Sequence, residues 1–259
     1  MTRWLAMLAA LALATPAAAA PSSIPAADFA AFAFRQHPGT QLPFNVMLRG
    51  PDGAPVRFGS LFDGKPMVID FEYDRCTTLC GVMLDQITAS LKQLPLQSGR
   101  DYRLVAIDID PTTTPTQTAD FAAAHGLQGN GMTVLTGDVA VIRTLADAAG
   151  FPYRRDEATG QYGHPAGFLV ATPNGTISRY LLGFGWRPLD LRLALTEAAE
   201  ATISAPAAQV LLFCYCYDPQ TGRYDFAVGR LLEIVGAITL VALAGLILAA
   251  SRRTGGTPA

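Results

Sequence analysis

Two cysteines, Cys76 and Cys80, stand in the stretch YDRCTTLCGVM, Tyr73 to Met83. Three residues separate them, one more than in a C-x-x-C redox pair. If the segment turns helically, residues four apart share a face, which brings both sulfurs toward one point. The unpaired N–H groups and positive dipole end of a helix start favour thiolate over thiol, and Arg75 beside Cys76 adds to this. Such a pair is poised for oxidation or for a soft metal. A structural disulfide is the plainer alternative. It is geometrically allowed, since i,i+4 alpha carbons lie at roughly 6 Å, but it closes so short a loop that the entropic gain is small.

Three histidines can supply a further ligand. His125, in AAAHGL, falls in the last turn of an expected helix before a glycine, a common place for a histidine without special function. His37, in the Pro-rich RQHPG, reads as a solvated loop residue. His164, in YGHPAGFLV, immediately precedes an expected core strand and is followed by Pro165, whose peptide bond can be cis. A second cysteine pair, Cys214 and Cys216, lies in LFCYCYDPQTGRYD. C-x-C can bind soft metals as an auxiliary site; a disulfide or two free thiols are the alternatives.

The elements that must position these groups follow from periodicity. LPFNVMLRGPDGAPVRF reads as two short extended runs around a Pro-Asp-Gly turn, an N-terminal hairpin. Met67 to Tyr73 is a buried strand, and the cysteine segment leads into a helix with Val82, Met83, Ile87, Leu91 and Leu94 at helical spacing. Tyr102 to Asp110 is a second strand, Pro115 to His125 a helix, MTVLT a third strand and Val139 to Ala149 a helix. AGFLVA and TISRYLLG flank TPNG as an antiparallel hairpin, and Pro188 to Glu200 is a last helix. This α/β order is thioredoxin-like. It places the strand after His164 beside the strand leading to the cysteines, with the intervening loop facing the same site.

Both ends of the chain differ in composition from this domain. Residues 1–19 have the form of a signal peptide: Arg3, an apolar run from Trp4 to Ala14, then small residues with A-x-A sites. Residues 20–37 read as a leader, 38–205 as the domain, and 206–230 as a juxtamembrane segment. Leu231 to Ala250 carries a single charge, Glu233; at about 1.5 Å per residue such a helix reaches roughly 30 Å, the thickness of a bilayer core. Arg252 and Arg253 follow, so the tail 251–259 is expected in the cytoplasm and the domain outside it. The expectation is a bacterial cytoplasmic-membrane protein with one C-terminal transmembrane helix and a periplasmic domain. A net charge of −2, with cationic residues scattered along the chain, gives no basis for nucleic-acid binding.

YDRCTTLC, AIDIDPTTTPTQTADFAAAHG and GHPAGFLVATPNG, in this order and at these distances, resemble the Sco/SenC family of copper proteins that assist assembly of cytochrome c oxidase. The likeness spans roughly Leu42 to Ala199. It implies that Cys76, Cys80 and His164 bind copper. Two thiolates and an imidazole suit Cu(I), and the same set holds Cu(II) with additional ligands. It also implies delivery to the binuclear copper centre of oxidase subunit II, with other copper carriers or thiol reductants as further partners. The alternative is a thiol–disulfide oxidoreductase using Cys76 and Cys80 to reduce the cysteines of that apo-subunit. A peroxidase is disfavoured because P-x-x-x-T-x-x-C is absent around Cys76. Members commonly carry proline after each cysteine, where this chain has Thr77 and Gly81, and some carry histidine where Cys216 stands. The resemblance would allow Asp108 and Asp110 to help position copper or a partner; on their residues alone they are carboxylates at a strand end ahead of a Pro-containing turn.

Overall fold

The computed structural model describes residues 32–76, 80–199, 215–218, 223–226, 236–243 and 245, with only the backbone path for Cys80, 215–218 and 223–226. The expected signal peptide, the tail 251–259 and Cys214 lie outside these residues.

β1 (Met47–Arg49) and β2 (Pro55–Arg57) form the antiparallel N-terminal hairpin, followed by a 3-10 turn at Phe58–Leu61. The chain then alternates β3 (Met67–Glu72), α1 (Cys80–Lys92), β4 (Arg103–Asp108), α2 (Pro115–Ala124), β5 (Met132–Leu135) and α3 (Val139–Ala148). A two-residue ribbon, β6 (Arg154–Arg155) with β7 (Tyr162–Gly163), leads into the hairpin β8 (Gly167–Ala171) and β9 (Ile177–Leu182), and α4 (Pro188–Ala198) closes the domain. The five-stranded sheet runs β5-β4-β3-β8-β9, parallel through β3, β4 and β5 and antiparallel where β8 meets β3.

Each face of this sheet is covered, so β3 is buried at every position, as expected of a central strand in a layered α/β fold. Ile69, Phe71, Val105, Ile107 and Leu169 pack on one face with Phe58, Phe62, Ile142 and Leu145. Val68, Leu104, Ala106 and Val170 pack on the other with Leu84, Ile87 and Leu91 of α1 and Leu191 and Leu195 of α4. Local chemistry sets the element ends. The Thr114 hydroxyl accepts from the Gln117 N–H at 3.3 Å while the Gln117 side chain accepts from the Thr114 N–H at 2.9 Å, with Pro115 opening α2. Past α3, Gly150 holds φ of +63°, and a Cβ there would fall 1.8 Å from the Arg35 carbonyl oxygen, so only glycine lets the N-terminal segment lie on this turn.

The late segment forms a hairpin of its own. β10 (Tyr215–Asp218) pairs antiparallel with β11 (Arg223–Phe226), placing Cys216 opposite Asp225. Of the expected span, residues 236–243 and 245 are helical, and Ile238, Leu240, Val241 and Leu243 are exposed. Among the described residues no helix is long and apolar enough to cross a membrane, and the remainder of Leu231–Ala250 lies outside them.

Candidate metal and thiol site

The site sits where the β3–β8 ladder ends. Their paired residues are Met67 with Ala171, Val68 with Val170 and Ile69 with Leu169. Beyond that point the end of β3 and the segment 161–167 separate around a cavity of about 280 Å³, lined among others by Cys76, His164, Asp70 and Glu72. Two of the three residues expected to ligate copper therefore meet at one opening. The third, Cys80, is the first residue of α1. Among the described residues no three His, Cys, Asp or Glu side chains converge into a metal site; the Cys80 side chain lies outside that set.

Cys76 follows a turn closed by its own N–H to the Tyr73 carbonyl at 3.0 Å, is partly buried and packs against the first core. It is disulfide-bonded in this structure, so the site is in an oxidised form. A disulfide sulfur offers no thiolate, so binding a soft ion through this residue first requires reduction.

The turn before Cys76 is fastened to the end of β4. The Arg75 guanidinium donates to the Asp110 carboxylate and, at 2.8 Å, to the Thr112 hydroxyl, while Asp110 also accepts from the Thr112 amide at 2.9 Å. Burial pushes the Asp110 carboxyl up, but the Thr112 hydrogen bonds and Arg75 outweigh it and hold the group below its ordinary value. Asp110 thus restrains the cysteine turn. This corrects the expectation for Arg75: its cation is engaged by Asp110, which reduces the charge left to favour a Cys76 thiolate.

His164 is placed by the β6–β7 ribbon, in which Arg155 pairs with Tyr162 and Arg154 with Gly163. Its ring lies on Phe151, with centroids 5.5 Å apart. Nδ1 is 3.0 Å from the Pro165 carbonyl oxygen, which can only accept, so that nitrogen carries the proton and Nε2 is the basic one. Burial lowers the His164 pKa, against a smaller opposing effect of that hydrogen bond, and favours the neutral form that binds metals. The described residues contain no cis peptide, so the His164–Pro165 bond is trans, not the cis form considered from sequence.

His125 has more to do than its sequence context suggests. Its Nδ1 lies 2.7 Å from the Asp85 carboxylate, and its ring covers Gly81: a Cβ there would stand 3.1 Å from Cε1 and 3.4 Å from Nε2. A side chain at 81 would press on the His125 ring. His37 donates its backbone N–H to the Tyr180 hydroxyl at 3.1 Å, in keeping with its expected place in a loop.

Sequence reasoning passed over Asp70 and Glu72. Both are 1% exposed on β3, two residues apart on one face, and the two carboxyls are hydrogen-bonded to each other. Asp70 Oδ2 and Glu72 Oε2 have no hydrogen-bond partner among the described residues. Burial pushes Asp70 up to about 7, and burial together with the charge of Asp70 pushes Glu72 well above the usual carboxylate range. Asp108, paired with Glu72 across the ladder, is 1% exposed and is also raised to about 7 by burial. Its Oδ1 accepts from the Asp110 N–H at 3.0 Å, and Oδ2 has no partner among the described residues. The available signal was compositional: two acids inside a strand otherwise read as buried throughout.

The SCO1/SenC family model matches residues 44–185, more than half of the chain and all of the cavity's cysteine, histidine and acidic residues. The chain belongs to the SCO1/SenC family. A Stutzerimonas stutzeri protein provisionally named as copper-binding is 25% identical over 122 residues, which are 46% of this chain and 58% of that protein. This chain therefore spans less than two thirds of the length of that relative. An Aquifex aeolicus VF5 protein provisionally described as an electron transfer protein superposes with a TM-score of 0.58 at 24% identity, covering 62% of this chain and 94% of the other. A SCO1/SenC family lipoprotein from Bacillus anthracis str. Ames gives 0.50 at 22% identity, over 59% and 90% respectively. At these identities the structures speak for the fold, which for this SCO1/SenC chain is the expected thioredoxin-type arrangement.

Proposed function

We propose that the chain is an exported, C-terminally anchored copper protein. In this reading it binds copper through Cys76, Cys80 and His164 and delivers it to the binuclear copper centre of cytochrome c oxidase subunit II. The observation that carries the reading is the convergence of Cys76 and a neutral, Nδ1-protonated His164 on one cavity, from segments far apart in sequence. With Cys80 reduced at the start of α1, the donor set is two sulfurs and an imidazole, which suits Cu(I) and can hold Cu(II). Copper is here a cargo. Family membership supports a role in oxidase assembly, and the copper-binding name of a relative agrees with the donor set.

The membrane anchor at Leu231–Ala250 and a periplasmic domain are part of the same proposal, on the strength of the 20-residue apolar stretch and the arginines after it. One observation favours a second reading, a thiol–disulfide oxidoreductase: Cys76 is disulfide-bonded. The two are separated by incubating the reduced, copper-loaded chain with the apo-form of the oxidase copper domain. Copper appearing in the acceptor supports delivery. Reduction of an oxidised acceptor by the copper-free chain, with no copper transfer by the loaded one, would replace it by the oxidoreductase reading.

A further inference from the structure

We propose that the hydrogen-bonded carboxyl pair Asp70–Glu72 is a proton store for thiol–disulfide exchange at Cys76, connected to it through the water of their shared cavity. The inference rests on the reading of Cys76 as a redox-active thiol.

Two acids facing one another inside a sheet are expensive unless they share a proton or meet a cation. Here each is 1% exposed, each keeps one oxygen without a partner among the described residues, and both line the cavity that Cys76 and His164 also line. Among the described residues that line the cavity there is no Lys or Arg. A single shared proton is the arrangement that satisfies the facing oxygens, and the two groups then titrate as a unit. Water occupies about 30 Å³ per molecule in the liquid, so a cavity of about 280 Å³ has room for several. Burial holds the proton on the pair up to about neutral pH, which is where a proton donor serves best in neutral solution.

The other ionisable groups near this pair have other engagements. Asp108 lies beside Glu72 on β4, His164 and Tyr162 stand on the opposite wall, and Asp74, Arg75 and Asp110 interact among themselves in the turn before Cys76. Tyr162 is pushed up to about 12, chiefly by burial, and is no donor near neutrality. His164 is held neutral with its Nδ1 proton on the Pro165 carbonyl.

The step balances with an external dithiol as reductant. One thiolate of the reductant attacks the sulfur bonded to Cys76, the S–S bond breaks, and its electron pair leaves on the Cys76 sulfur. That thiolate takes the proton held by Asp70–Glu72. The reductant's second thiol then gives its proton to the emptied pair, and its thiolate displaces the mixed disulfide. The released cysteine thiolate takes the proton that the first reductant thiol lost to solvent. The chain ends as a dithiol, the reductant as a disulfide, and the carboxyl pair is restored.

The test uses the oxidised full chain in detergent with dithiothreitol as reductant, following single-turnover reduction between about pH 5.5 and 8.5 and dividing each rate by the thiolate concentration. The wild type is expected to show a rate that falls through an inflection near neutrality as the store empties. Asp70→Asn and Glu72→Gln should lower the acid-side rate by at least about 10-fold and flatten the profile, and Asp70→Glu should restore its shape, which a purely structural role would not. An unchanged inflection in both neutral variants overturns the proposal. If neither variant folds, the infrared band of a protonated carboxylic acid decides, read in Asp108→Asn so that Asp108 does not contribute: its presence at neutral pH supports the store, and its absence overturns it. Copper uptake by the same variants keeps this inference apart from the ligand assignment. A flattened profile supports the store whether or not copper binds, and an unchanged profile rejects it either way.

Discussion

Replacing Asp108 by asparagine should make the protein more stable at alkaline pH and less stable at acid pH. Asp108 is 1% exposed, its Oδ1 accepts from the Asp110 N–H and its Oδ2 has no partner among the described residues. Burial raises its pKa to about 7, against about 3.9 in an unfolded chain. The folded state thus holds this proton more tightly than the unfolded one. Its contribution is complete below about pH 4, is lost progressively as pH rises to about 7, and above that the ionised carboxylate is a net cost. Three units at 1.36 kcal/mol each set an upper bound of about 4 kcal/mol on this swing. Asparagine keeps the acceptor oxygen and carries no charge, but its amide nitrogen would stand where Oδ2 has no partner, costing about 1–2 kcal/mol at every pH. The variant should therefore be about 1–2 kcal/mol less stable near pH 3.5 and about 1–3 kcal/mol more stable near pH 8, with a crossing near pH 5. Urea unfolding of both proteins at several pH values reads this directly. Parallel stability curves, or a variant weaker at pH 8, would refute the claim that Asp108 is buried without charge compensation.

Further outcomes follow from the proposed site and its anchoring. His164→Ala removes one of three proposed ligands and should weaken Cu(II) binding by at least 10- to 100-fold, the range typical of losing a mere supporting contact, while disulfide formation at Cys76 persists; copper affinity and the dithiol reduction potential check the two parts. Cys214→Ser with Cys216→Ser should leave one copper per chain on the primary site, measured by metal analysis of the reduced protein; a loss of stoichiometry would make the C-x-C part of it. A reporter active only in the cytoplasm should work when fused to Ala259, and activity of an externally active reporter there instead would reverse the proposed orientation.

The order of strands and helices was legible because apolar residues recur at clear periods: every main strand and helix of the domain appears within a few residues of its expected place. The meeting of Cys76 and His164 was legible too, since a strand following His164 can pair with the one ending before Cys76 only by bringing their loops together. What escaped were features without period or length. The ribbon that places His164 is two residues per strand, too short for any pattern. The Arg75–Asp110 tie joins residues whose proximity depends on how two strand ends align. Asp70 and Glu72 lie in a run whose apolar neighbours mark a buried strand, and that pattern is silent on how two acids inside it are accommodated. His125 read as an ordinary helix-end residue; its position over Gly81 depends on how α2 packs against α1.

Anaerobic titration of the reduced full chain with Cu(I), followed by X-ray absorption of the loaded protein, bears most directly on the copper assignment. The account predicts uptake of one copper per chain with sulfur and imidazole nitrogen in the first coordination shell, the nitrogen disappearing in His164→Ala and uptake failing in Cys76→Ser. No stoichiometric uptake by the reduced wild type, or the same nitrogen signal without His164, would contradict it.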